Sequence, residues 1–248
     1  MSKVNETGHA KNVANLEKLI IATTALGAAY NPVAANLKTT ALTALKKSCS
    51  DAFTALYNAE TAYKKAVGSR DASFENLDKL ITRVFNSLKV SGASAQDIEK
   101  AQTLVRLLHG SRAKAKKETN PTATLTEAEK ETKTVSVSRM SYDSRIENLD
   151  RLIKLLTGIT AYKPNEADLK LTALTAMINN FIALNTAYKT AETNLFNARN
   201  KRNELLYNEP NGLVNTANAV KMYVKSVFGT TNPECKEISK LKFTKQRF

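Results

Sequence analysis

The stretch Leu37-Lys38-Thr39-Thr40-Ala41-Leu42-Thr43-Ala44 occurs twice in this chain. Residues 169–176 read Leu-Lys-Leu-Thr-Ala-Leu-Thr-Ala, which is identical at seven of eight positions and lies 132 residues further on. The match extends outward, since Tyr30-Asn31-Pro32 corresponds to Tyr162-Lys163-Pro164 and the offset stays constant as far as Arg70 and Arg202. A repeat of this length predicts two copies of one structural unit.

Each copy has the residue spacing of a long helix. Small residues recur at steps of three and four between positions 41 and 66, which is typical of helices that pack closely along a seam. A second stripe carries bulky apolar side chains and predicts the core-facing side. Its members are Leu42, Leu45, Cys49, Leu56 and Tyr63, matched by Leu174, Met177, Phe181, Tyr188 and Leu195. The Tyr-x-Pro corner is expected to end a first helix and to begin the long one.

The composition favours an all-α fold, because only five prolines and eight glycines interrupt 248 residues. We predict two homologous helical bundles that pack as a pseudo-twofold pair, each with one long alanine-rich helix. The first bundle would span residues 1–110 and the second 141–248. Residues 111–140 have no apolar periodicity and start with a basic cluster, which predicts a polar, basic linker.

The net charge of +14 is the main indication of function, since it attracts polyanions such as nucleic acid or ribosomal surfaces. Solubility alone is the other explanation of this charge. The basic residues cluster near the C-terminal ends of the two long helices, where they would also interact favourably with the helix dipole. More of them lie in the C-terminal tail, which either docks as an extended segment or stays mobile. The candidate phosphate-binding residues are Lys64, Lys65, Arg70, Arg199, Lys201, Arg202, Lys240, Lys242, Lys245 and Arg247.

Signs of catalysis are missing from the sequence. There is no nucleotide-binding loop, nucleophile elbow or metalloprotease motif. The two histidines, His9 and His109, have no ligand at metal-binding spacing. We therefore expect no enzyme activity, no cofactor and no metal.

Residues 19–37 carry no charge and resemble a membrane span. The corresponding stretch of the second copy contains charged residues, among them Lys154, Glu166 and Asp168. Because both copies should have the same structural role, we interpret the stretch as a bundle helix followed by a turn. The sequence predicts a cytoplasmic protein with no transmembrane segment.

Three segments together resemble a family of duplicated, uncharacterised helical proteins in Bacteroidota. They are the Tyr-x-Pro corner, the repeated Leu-Lys-x-Thr-Ala-Leu-Thr-Ala stretch and the C-terminal run from Tyr223 to Thr244. The resemblance covers nearly the whole chain and implies a bacterial origin. It implies no activity, cofactor or site.

We expect a non-enzymatic protein that binds RNA, DNA or a ribosomal surface through Lys/Arg–phosphate contacts. Exposed aromatic residues look sparse, so contacts to the phosphate backbone without sequence readout are favoured over base recognition. The alternative is a structural or scaffold protein that self-assembles or binds a protein partner through helix faces. Phosphate binding weakens steeply with salt, whereas apolar assembly does not.

Overall fold

The protein is described by a computed structural model that covers residues 8–110 and 140–245. This part of the chain contains eight α-helices and no strand, which confirms the all-α class. The helices are α1 His9–Ala25, α2 Thr39–Phe74, α3 Leu77–Val90, α4 Ala95–Leu108, α5 Tyr142–Thr157, α6 Leu171–Tyr207, α7 Leu213–Phe228 and α8 Pro233–Lys240. Most of the predicted linker lies outside the described residues.

The described chain forms two compact units, and the boundary between them falls inside the two long helices. Unit 1 comprises Met1–Lys64 and Thr190–Phe248, whereas unit 2 comprises Lys65–Lys189. The predicted boundaries, 1–110 and 141–248, differ from this division. The reason is that each long helix packs its first half and its second half into different cores.

Unit 1 is built from α1, α7, α8 and parts of α2 and α6. Helix α7 packs on both α1 and α8. Its core includes Leu16 and Leu19 of α1, Leu42 of α2, Leu206 of α6 and Val220 of α7, all fully buried. Each of these side chains contributes about 1.5–3 kcal/mol by leaving water.

Unit 2 is built from α3, α4, α5 and the remaining parts of the long helices. Helix α4 packs on α3 and α5. Its core includes Ile81, Leu108 and Leu152, together with Phe74 and Phe181. The two phenylalanine rings stack with their centroids 4.0 Å apart. Both units therefore bury the bulky stripe of the long helices, as the sequence predicted.

Two details of the long helices differ from expectation. Pro32 does not begin α2, because the Tyr30 hydroxyl donates a 2.6 Å hydrogen bond to the Leu37 carbonyl and holds a short turn before Thr39. Tyr162 donates the same bond to Leu169, at 2.9 Å. Burial raises the pKa of both phenols to about 12.

The alanine stripe of α2 is mostly not a packing seam. Ala52 is buried, whereas Ala44, Ala55 and Ala62 are exposed. The bulky stripe beside it makes the core contacts, so the small residues of this helix are left largely toward solvent.

Candidate nucleic-acid interface

The basic residues near the end of α6 lie in unit 1 and are only loosely paired. The Arg199 guanidinium is 4.0 Å from Glu60 of α2, at the outer limit of an ion pair. Lys201 pairs with Glu204 at 2.9 Å along the helix. Both basic side chains are more than half exposed, so solvent weakens these pairs.

Arg202 lies half-buried one turn from Arg199. Its Nε and Nη2 both donate to the Asn203 side-chain oxygen, at 3.0 and 2.7 Å. Desolvation lowers the pKa of Arg202, and the positive charge of Arg199 adds to this effect. Glu60 acts in the opposite direction. A guanidinium still stays protonated at neutral pH, so two positive charges lie close together here, and Glu60 is near both.

A chain of polar side chains connects this cluster to the start of α1. The Tyr207 hydroxyl lies 2.7 Å from His9 Nδ1. Burial raises the pKa of Tyr207, while a hydrogen bond from Asn12 and the charge of Arg202 partly offset the rise. Burial also lowers the pKa of His9, and Arg202 lowers it further. His9 and Tyr207 are therefore joined by a hydrogen bond close to the charge of Arg202.

The C-terminal tail docks against α1 in extended form. The buried Asn12 side chain donates to the Thr244 carbonyl at 2.8 Å and accepts from its N–H at 3.1 Å. Asn15 donates to the Lys242 carbonyl at 2.7 Å, and Lys221 donates to the Leu241 carbonyl at 2.8 Å. Of the two arrangements that the sequence left open, extended docking is the one observed for residues 241–245.

Docking of the tail places Thr244 on Asn12, which also hydrogen-bonds Tyr207 near the end of α6. Lys242 is exposed. Lys245 pairs with Glu209, and Lys240 pairs with Glu237 of α8. Arg247 lies outside the described residues.

The third predicted group, near the end of α2, is divided between the units. Lys64 belongs to unit 1, whereas Lys65 and Arg70 belong to unit 2. Both lysines are exposed, and neither has an ion-pair partner among the described residues.

Arg70 is mostly enclosed, whereas the prediction of phosphate binding requires an exposed side chain. Its guanidinium lies 4.0 Å from the ring centre of Tyr142 and 3.6 Å from that of Tyr188. The Nε atom is buried without a hydrogen-bond partner, the side chain is 11% exposed, and Asp71 is 3.8 Å away. Stacking on two rings stabilises the guanidinium, which indicates a role in packing.

Several residues of the cluster were missed by the sequence reasoning. They are His9 and Asn12 of α1 and Asn203 of α6, none of which is among the sequence-predicted binding residues. Tyr57 contributes to the electrostatics of Arg202. The one sequence feature that relates two of these residues is the three-residue spacing of His9 and Asn12, which puts both on one helix face.

No group of three or more His, Cys, Asp or Glu that could hold a metal occurs in residues 8–110 and 140–245. No helix there is long and apolar enough to cross a bilayer. Unit 2 has an open groove of about 650 Å³, lined by Arg83, Asn86, Lys163, Asn165 and neighbouring residues of α3 and the second corner. It contains none of the predicted basic residues.

A comparison of the chain with protein-family profiles, curated proteins and solved structures gave no match.

Proposed function

We propose that this protein is a non-enzymatic binding protein for a polyanion, which is RNA, DNA or a ribosomal surface. The binding face is centred on Arg199 and Arg202 of unit 1 and includes Lys201 of the same helix, and the exposed tail residue Lys242 is a further candidate contact. Affinity comes from contacts between these cations and phosphates, and is therefore strongly dependent on salt.

One observation carries the proposal. Arg202 is matched in the repeat by Arg70, which has the carboxylate of Asp71 next to it in sequence and 3.8 Å away. Arg202 instead has the uncharged Asn203 next to it, and a second arginine, Arg199, one turn earlier. A site with two adjacent cations and few carboxylates favours an anionic ligand.

The test is fluorescence anisotropy with labelled RNA and duplex DNA across a range of salt concentrations. The double variant Arg199→Gln/Arg202→Gln removes two charges from the cluster. It should weaken binding to every polyanion and reduce the log–log salt slope by about two units, about one per lost phosphate contact.

The matched control is Lys79→Gln/Arg106→Gln, which removes two exposed charges from α3 and α4 of unit 2. Its net charge equals that of the first variant, so a non-specific charge effect would be the same in both. Equal losses of affinity, or no binding by the unaltered protein at about 150 mM salt, would reject the proposal.

Exposed apolar side chains support a scaffold role as the second candidate function. Ile21 of α1 and Met222 of α7 are both about two-thirds exposed, and these helices pack on each other. Self-association that is insensitive to salt, measured by light scattering, and that Ile21→Ser/Met222→Ser abolishes would favour this function over polyanion binding.

A further inference from the structure

We infer that the polyanion is single-stranded nucleic acid, whose unpaired bases stack on Tyr57 and Phe196. This inference rests on the proposed function and deepens it. It differs from the expectation of backbone contacts alone, because the two rings are more accessible than the sequence indicated. Tyr57 is 58% exposed and Phe196 is 62% exposed.

Both rings lie next to the arginine cluster within unit 1. Tyr57 is three residues before Glu60 in α2, and Phe196 is three residues before Arg199 in α6. Residues three apart share one helix face. Because Glu60 and Arg199 are 4.0 Å apart, this pair joins the two faces that carry the rings. Tyr57 also interacts electrostatically with Arg202 and raises the pKa of its guanidinium.

The rings contribute little to the core of unit 1. Tyr57 contacts Phe53, with ring centroids 6.3 Å apart, but most of its surface faces solvent. The positions that match Tyr57 and Phe196 in the repeat are Lys189 and Lys64. At each of these two positions, one copy of the repeat has an aromatic side chain and the other has a lysine.

The combination of exposed rings with adjacent cations fits one class of ligand best. Proteins that bind single strands pair cations, which contact phosphates, with aromatic side chains on which bases stack. In a duplex the base faces are already stacked on one another, so the exposed aromatic side chains of the protein have no free base to stack on. Arg199 and Arg202 supply the cations, and Tyr57 and Phe196 supply the stacking surfaces.

The experiment compares labelled oligo(U), oligo(dT) and a duplex, each about twelve nucleotides or base pairs long. The variants are Tyr57→Leu and Phe196→Leu, which keep an apolar side chain with high helix propensity at an exposed position. Each variant should lose about five- to 150-fold in affinity for both single strands, corresponding to one stacked base. Affinity for the duplex should be unchanged.

The control is Val90→Leu/Ile182→Leu, which alters two exposed apolar residues of unit 2 and should leave all affinities unchanged. A second readout uses the absence of tryptophan from the chain. Phe196→Trp introduces a single indole, whose fluorescence oligo(U) should quench and the duplex should not. Oligo(U) and oligo(dT) should behave alike unless the 2′-hydroxyl is also recognised.

The outcomes separate the two proposals. If the leucine variants bind single strands as well as the unaltered protein does, or lose the same factor on the duplex, stacking is rejected. The proposed function still stands if Arg199→Gln/Arg202→Gln loses affinity in that experiment. If the unaltered protein binds none of the three probes at about 150 mM salt, both proposals fail.

Discussion

Arg70 and Arg202 occupy matching positions in the two copies of the repeat, 132 residues apart, yet their surroundings differ. In unit 2, Arg70 is enclosed by the rings of Tyr142 and Tyr188. In unit 1, Arg202 is half-buried and hydrogen-bonded to Asn203.

Two acidic residues near Arg70, Asp71 and Asp143, accept hydrogen bonds from other side chains of unit 2. Asp71 accepts a 2.6 Å hydrogen bond from the Tyr142 hydroxyl. Asp143 accepts from Lys189 at 2.7 Å and from Asn185 at 2.8 Å. These hydrogen bonds, that of Lys189 above all, lower the pKa of Asp143, and the charge of Arg70 contributes. The charges of this region are largely satisfied within unit 2.

The comparison teaches that matching positions of the two long helices can have different surroundings, packing in one unit and, under the proposed function, ligand contact in the other. The difference follows from a few neighbouring residues. Asp71 is replaced by Asn203, and the helix that begins with Tyr142 in unit 2, α5, has its counterpart in α1 of unit 1, which begins with His9. Arg202 therefore lacks the adjacent carboxylate that accompanies Arg70.

The largest expected effect is on stability. Arg70→Gln should lower the free energy of unfolding by about 2 kcal/mol, because it removes stacking on two rings and the packing of a buried stem. Arg202→Gln should cost about 1 kcal/mol, because it removes the hydrogen bonds that this half-buried side chain donates to Asn203. Urea denaturation measures both values, and similar costs for the two variants would contradict the assignment of different roles.

A smaller effect, on the affinity for polyanions, is expected from replacing Asn203, the residue next to Arg202. Asn203→Asp introduces next to Arg202 the carboxylate that Arg70 has in Asp71. It should weaken polyanion binding about tenfold at about 150 mM salt, through loss of about one phosphate contact. Asp71→Asn should leave binding unchanged. Asn218→Asp, an equal charge change on an exposed position of α7, controls for net charge, and an equal loss there would refute a local effect.

The smallest expected effect is on the pH dependence of stability. Burial, and secondarily Arg202, lowers the pKa of His9 below its usual 6.5. As the pH falls below about 6.5, the unfolded chain gains a proton at this histidine that the folded protein binds less readily. The free energy of unfolding should therefore decrease as the pH falls through this range, and stay level above it as far as His9 is concerned.

His9→Gln should flatten this pH dependence, as measured by urea denaturation at pH values of about 7.5 and 5.5. The first residue of the corresponding helix in unit 2, Tyr142, has its pKa raised, chiefly by the hydrogen bond to Asp71, and does not titrate there. The pKa values of Asp143, Asp168 and Glu209 are lowered by hydrogen bonds to basic side chains, so these groups also titrate below this range. An unchanged pH profile in His9→Gln would show that the histidine is not the source.

Much of the fold could be predicted from local patterns. The bulky stripe with Leu42, Cys49 and Leu56 is buried as predicted, because residues three and four apart share a helix face whatever the helix packs against. The candidate site was predicted less well. The basic residues of α6 are evident in the sequence and remain a prediction as a binding site, whereas the enclosure of Arg70 is not evident, since it depends on Tyr142 and Tyr188, which are distant in sequence.

The sequence by itself determined the helices, their core-facing sides and the excess of positive charge, because these follow from composition and from short-range periodicity. Only the tertiary structure decided which half of each long helix joins which core, where the tail docks and which arginine is enclosed. These features depend on partners such as His9 and Tyr207, which lie 198 residues apart. No local pattern specifies such a pairing, since it results from the simultaneous packing of side chains from several helices.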